Sequence, residues 1–137
     1  MILVDTNILL DVAENDPVWA DWSQQQLELM ALTETLIINP VIYAEFSIGY
    51  ARIEEVEAVL DAVALRVAPM PREALFLAGK AFLQYRQRGG LRTGVLPDFL
   101  IGAHAAVEGW QLLTRDAGRY RSYFPALKLI TPDAGSV

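Results

Sequence analysis

Short, uninterrupted apolar segments, each followed by a polar or capping residue and then a helical pattern, constrain this chain most. Residues 1–4 (Met-Ile-Leu-Val), 35–38 (Thr-Leu-Ile-Ile), 65–68, 110–114 and 127–130 read as five strands. Strands apolar along their whole length must be covered on both faces, as happens when helical crossovers join parallel strands. The intervening stretches supply those helices, over residues 8–14, 18–32, 40 towards 50, 53–64, 71 to about 87, and 97–108. Asn39-Pro40 is a cap followed by proline at the first helical position, and Gly109 closes the helix that Pro97 opens. In the helix over 18–32 the spacing of Trp19, Trp22, Leu29 and Leu32 sets the apolar repeat. Residues 116–123 form a short helix or turn. The alternation predicts an α/β fold: a three-layer sandwich around a central, mostly parallel five-stranded sheet, in one domain over residues 1–137.

Composition narrows the function. With no cysteine there is no disulfide framework, thiolate metal site or cysteine nucleophile. No apolar run is long enough to cross a bilayer, and residues 1–4 are too short for a signal peptide, so a cytoplasmic protein is expected. The net charge of −6 argues against a generic basic coat for nucleic acid, but the charge is unevenly spread. Residues 1–73 carry 13 acids against Arg52, Arg66 and Arg72, a balance of −10. Residues 74–137 carry four acids against eight Lys and Arg, a balance of +4. No acid stands between Glu73 and Asp98, where Lys80, Arg86, Arg88 and Arg92 fall. This pattern suits either a solvated helix face and loop or a basic lip beside an acidic centre.

Parallel sheets of this kind place their sites beyond the carboxyl ends of the strands. Asp5 follows the first strand, Asp116 follows the fourth, and Asp98 opens a helix behind Pro97. Singly, each suits a helix cap or the positive end of a helix dipole. Glu45 does not, because it is the sole charge in the apolar helix from Pro40 to Gly49. A carboxylate there requires a donor or a cation. Four converging carboxylates would repel one another unless neutralised, and a hard cation with oxygen ligands, Mg²⁺ or Mn²⁺, resolves the conflict.

Asp5-Thr6-Asn7, Glu45, Pro97-Asp98 with Ile101-Gly102-Ala103-His104-Ala105, and Leu113-Thr114-Arg115-Asp116 with Arg119-Tyr120 and Phe124-Pro125 resemble a PIN domain over nearly the whole chain. The branch resembled is the VapC-like toxins of bacterial toxin–antitoxin pairs. The resemblance implies a Mg²⁺-dependent endoribonuclease that leaves a 5′-phosphate and a 3′-hydroxyl. It implies Asp5, Asp98 and Asp116 as metal ligands, with Glu45 completing the catalytic quartet through water or a second ion. It gives Asn7 and Thr114 supporting hydrogen bonds, and it implies a cognate antitoxin and a homodimer. By charge and position alone, Arg86, Arg88, Arg92, Arg115 and Arg119 are candidates for RNA contacts.

His104, six residues beyond Asp98, points away from it on an ideal helix and is read as structural. Neither a G-x-S-x-G elbow nor a phosphate-binding glycine loop occurs. Trp19, Trp22, Tyr43, Phe46 and Tyr50 are read as mostly core, and any that are exposed would suit a groove for a partner. Two rival readings stand. A receiver-like or phosphatase-like phosphoryl-transfer domain would normally need a strand-end lysine, whereas Lys80 lies mid-helix and Lys128 within the fifth strand. A non-catalytic acidic module would merely hold an ion or a basic peptide.

Overall fold

The computed structural model describes residues 1–132. Its apolar segments form one sheet in the order β3-β2-β1-β4-β5, with every neighbouring pair parallel. β1 (Ile2–Val4) is central between β2 (Leu36–Ile38) and β4 (Gln111–Leu113), and β3 (Arg66–Val67) and β5 (Leu129–Ile130) form the edges. Leu3 stands opposite Ile37 on one side and Leu112 on the other. β1 and β2 are buried throughout, as strands covered on both faces must be. β3 is shorter than the sequence suggests, and both its residues are exposed. A short edge strand carrying a charge resists pairing with another chain.

Among the described residues, seven helices complete the three layers: α1 (Thr6–Ala13), α2 (Ala20–Ala31), α3 (Pro40–Ser47), α4 (Ile53–Ala62), α5 (Arg72–Gln87), α6 (Leu96–Glu108) and α7 (Gly118–Tyr123). The chain steps outward from β1 through β2 to β3, then returns across the sheet to β4 and β5. Right-handed crossovers make this reversal distribute the helices over both faces. The reversal point, between β1 and β4, is where such sheets open a crevice beyond the strand ends.

Caps and small residues fix the elements around that crevice. Asn39 Oδ1 accepts from the Ile42 N–H at 2.9 Å, and Gly109 ends α6 in the left-handed region at φ +72°. α5 turns Ala74, Ala78 and Ala81 inward and packs against α6, whose Phe99, Ile101, Gly102, Ala103, His104 and Ala105 are buried. A side chain at Gly102 would lie 2.6 Å from the Phe124 ring and 3.0 Å from that of Tyr120. That glycine lets α7 lie directly on α6.

Two expectations need correction. α2 docks through Ala20, Ser23 and Leu27, leaving Leu29 and Leu32 exposed, because Ser23 Oγ donates to the buried Asp11 carboxylate at 2.7 Å. α3 stops at Ser47 instead of reaching Tyr50, so Ile48 is 86% exposed. Among the described residues no helix is long and apolar enough to cross a membrane.

Candidate active site

A cleft of about 330 Å³ opens beyond the carboxyl ends of β1 and β4, lined by Asp5, Glu45, Asp98 and Asp116. The four acids thus meet in one place although they are carried by four different parts of the chain. Thr6, Asn7, Arg119 and Tyr120 supply the other polar lining. Among the described residues no lysine lines the cleft.

Asp5 lies deepest, as the N-cap of α1. Its Oδ1 accepts from the Thr6 N–H at 2.7 Å. Its Oδ2 accepts from Tyr120 OH at 2.8 Å, Thr114 Oγ1 at 2.9 Å and, more weakly, Asn7 Nδ2 at 3.5 Å. Burial nevertheless pushes its pKa up to about 6, and the nearby Asp98 charge adds to the rise. Asn7 joins the two strand ends, its Nδ2 donating to Thr114 Oγ1 and its Oδ1 accepting from the Arg115 N–H. Asn7 and Thr114 therefore stand where supporting residues were expected.

Glu45, on α3, accepts from Thr6 Oγ1 at 2.6 Å. Its helix is apolar, but this face looks into the cleft, with the exposed Ile48 on the rim. Asp98, in the first turn of α6, accepts from Arg119 Nη1 at 2.5 Å. Burial raises the Asp98 pKa, and the hydrogen bond from Arg119 opposes the rise. Asp116 is exposed at the mouth, and its N–H donates to Thr114 Oγ1 at 3.1 Å.

As the side chains stand, no group of three or more Asp, Glu or His side chains among the described residues is arranged to hold a metal ion. Asp5 is turned to hydroxyl donors and Asp98 to Arg119. The donor chemistry still fits a hard divalent cation, since the buried Asp5, the half-buried Glu45 and Asp98 and the exposed Asp116 offer only oxygen.

The arginines divide into distinct groups. Arg115 is engaged outside the cleft, donating to the buried Asp11 through Nε and Nη2 at 2.8 Å each and lying over the Trp19 ring. Arg86, Arg88 and Arg92 are exposed at the end of α5 and in the following loop, with Arg88 over Tyr123 and Arg86 over Phe82. That loop is seated on Tyr85, whose hydroxyl accepts from the Arg92 N–H and whose ring leaves no room for a side chain at Gly90. Arg119 lies over the same ring. The basic lip thus continues into the acidic centre.

Sequence reasoning gave Tyr120 and Thr6 no role, though both lie within the motifs singled out. A tyrosine four residues after Asp116 betrays its contact with Asp5 only when α7 is placed on α6. His104 is buried and structural, as read: its Nδ1 lies 3.2 Å from Asn39 Nδ2, and burial lowers its pKa. Asn39 Oδ1 is occupied by the Ile42 N–H, so Nδ1 is the acceptor and the proton sits on Nε2. Of the aromatic candidates, Phe46 is fully buried, whereas Tyr43 and Tyr50 are half-buried and line a shallow groove with Ile53 and Val56.

Similar folds occur in solved structures. VapBC2 from Rickettsia felis, bound to a DNA fragment from its promoter, contains a chain 26% identical to this one at TM-score 0.74, covering 96% of this chain and 98% of that chain. VapBC-1 from nontypeable Haemophilus influenzae gives 18% identity and TM-score 0.71 over 96% and 98%. FitAcB from Neisseria gonorrhoeae gives 19% and 0.70 over the same shares. The curated proteins give no match. Residues 2–124 match the family described as PIN domain, and the chain, with its parallel sheet and acid-lined cleft, belongs to that family.

Proposed function

We propose that this chain is a metal-dependent endoribonuclease, the toxin of a VapBC-type toxin–antitoxin pair. The observation that carries the reading is the convergence of Asp5, Glu45, Asp98 and Asp116 on one cleft at the sheet's reversal point. Asp5 and Asp98 would hold Mg²⁺ or Mn²⁺ with Asp116, and Glu45 would act through bound water. Such an ion lowers the pKa of water, orients it against the scissile phosphate and offsets developing charge. The chain's own groups prepare that chemistry. Tyr120, Thr114 and Asn7 fix Asp5, while Thr6 fixes Glu45. Arg86, Arg88 and Arg92 would hold the RNA backbone beside the acids. The solved VapBC complexes support an antitoxin partner, and the groove beside Tyr43 and Tyr50 is the candidate surface.

Purified protein incubated with single-stranded and structured RNA should cut in Mg²⁺ or Mn²⁺ and not in EDTA. Asp5→Asn and Asp98→Ala should each lower the rate by about 100-fold or more, the scale of losing a group on which charge stabilisation depends. Cleavage in EDTA, or wild-type rates in both variants, would refute the reading.

A further inference from the structure

Among the described residues, Arg119 is the one cationic side chain lining the cleft of four carboxylates. Its guanidinium donates to Asp98 Oδ2, and beyond that contact it lies 5.8 Å from the centre of the Tyr85 ring. Neither partner of the ion pair is locked away, for the side chains are 26% and 38% exposed. Its neighbour Tyr120 is bonded to Asp5, so α7 brings a cation and a hydroxyl donor to two of the four acids at once.

A guanidinium and a hard divalent cation compete for the same carboxylate oxygens, since each satisfies negative charge at contact distance. A guanidinium also binds phosphate as well as it binds carboxylate. The Tyr85 face gives it a place to rest between the two, next to the lip that carries Arg88 and Arg92. We infer that Arg119 is an exchangeable internal counter-ion. It neutralises Asp98 in the metal-free chain, yields that carboxylate to a divalent cation, and turns its guanidinium to the phosphate of RNA entering the cleft. The inference rests on the metal-dependent nuclease reading, and it adds that ion binding and RNA binding are coupled through one side chain.

A merely structural arginine would weaken both affinities when removed, whereas an exchanging one moves them in opposite directions. Calorimetric titration of the full chain with Mn²⁺ should show Arg119→Gln binding about fivefold more tightly than wild type, as loss of a competitor requires. A fluorescent single-stranded RNA, titrated in Ca²⁺ in place of the catalytic ion, should bind Arg119→Gln about tenfold more weakly. Adding Ca²⁺ should raise RNA affinity more for wild type than for the variant. Arg119→Lys, with thermal unfolding as the check on its fold, keeps the charge but not the fork. It should bind RNA more weakly than wild type and Mn²⁺ at least as tightly. Equal or weaker Mn²⁺ binding by Arg119→Gln would overturn the exchange while leaving the nuclease reading intact. Failure of wild type itself to bind Mn²⁺ would overturn both.

Discussion

Asp5 is buried, accepts four hydrogen bonds, and still has its pKa raised to about 6. The donors favour its charged form, but burial opposes that form more strongly. A carboxyl whose folded pKa exceeds its unfolded value contributes stability below about pH 4, and that contribution is lost as pH rises through about 6. In the metal-free protein, Asp5→Asn should therefore match wild type in stability near pH 4. It should be more stable near pH 7, by on the order of 2–3 kcal/mol at most. Thermal unfolding in EDTA across that range measures the difference, and a variant less stable than wild type at pH 7 would contradict it. The amide can keep the Thr6 N–H as donor to its oxygen, and the Tyr120 hydroxyl can turn to accept from its nitrogen. Thr114 Oγ1, which already accepts from Asn7 Nδ2 and the Asp116 N–H, keeps Asp116 O for its proton. The residue thus trades stability for a negative charge held ready, the pattern of a functional site.

α6 and α7 meet across Gly102, which lets the Tyr120 ring approach Asp5. Gly102→Ala removes a helix-weakening residue, which alone would stabilise by up to about 1 kcal/mol. The added methyl meets two aromatic rings packed against the core, and overpacking of that kind costs about 1–3 kcal/mol. The variant should be less stable than wild type by chemical denaturation, and it should also lose activity as Tyr120 is pushed from Asp5. Much at this scale was legible in the sequence: the five strand segments, the Asn39 cap, Gly109, and the acids at strand ends all carry local signals. The exposure of Leu29, Leu32 and Ile48 was not, because the face a helix buries depends on its anchor. For α2 that anchor is Ser23 on Asp11, a contact between separate elements. The same reason hid the engagement of Arg115 with Asp11 and of Arg119 with Asp98. A charge count along the chain cannot tell a paired arginine from a free one.

Across the whole molecule the charge division becomes spatial: acids gather at the reversal point of the sheet, and the exposed Arg86, Arg88 and Arg92 are held on Phe82, Tyr123 and Tyr85, the last of which also carries Arg119 of the cleft. An overall negative protein can then attract a polyanion to one side while repelling it elsewhere. Replacing these three arginines by alanine should weaken RNA binding and lower the salt dependence by a slope of about 2, as expected for some three lost phosphate contacts on a single strand. Mn²⁺ affinity should be unchanged. An unaltered salt slope would place the RNA elsewhere.

The order of the strands also sets a timetable. β1, which Asp5 directly follows, cannot acquire its neighbour β4 until residues 111–113 exist, and Tyr120 and Asp116 come later still. Contacts spanning more than a hundred residues form late in folding and only after a large loss of chain entropy. A chain emerging from the ribosome N-terminus first can lay down β1, β2 and β3 with Asp5 and Glu45 in place, yet the cleft has only one wall. If the four acids act together as proposed, a nascent chain or an N-terminal fragment that lacks β4 and α7 should be inert, and activity should begin abruptly once residues 111–123 are in place.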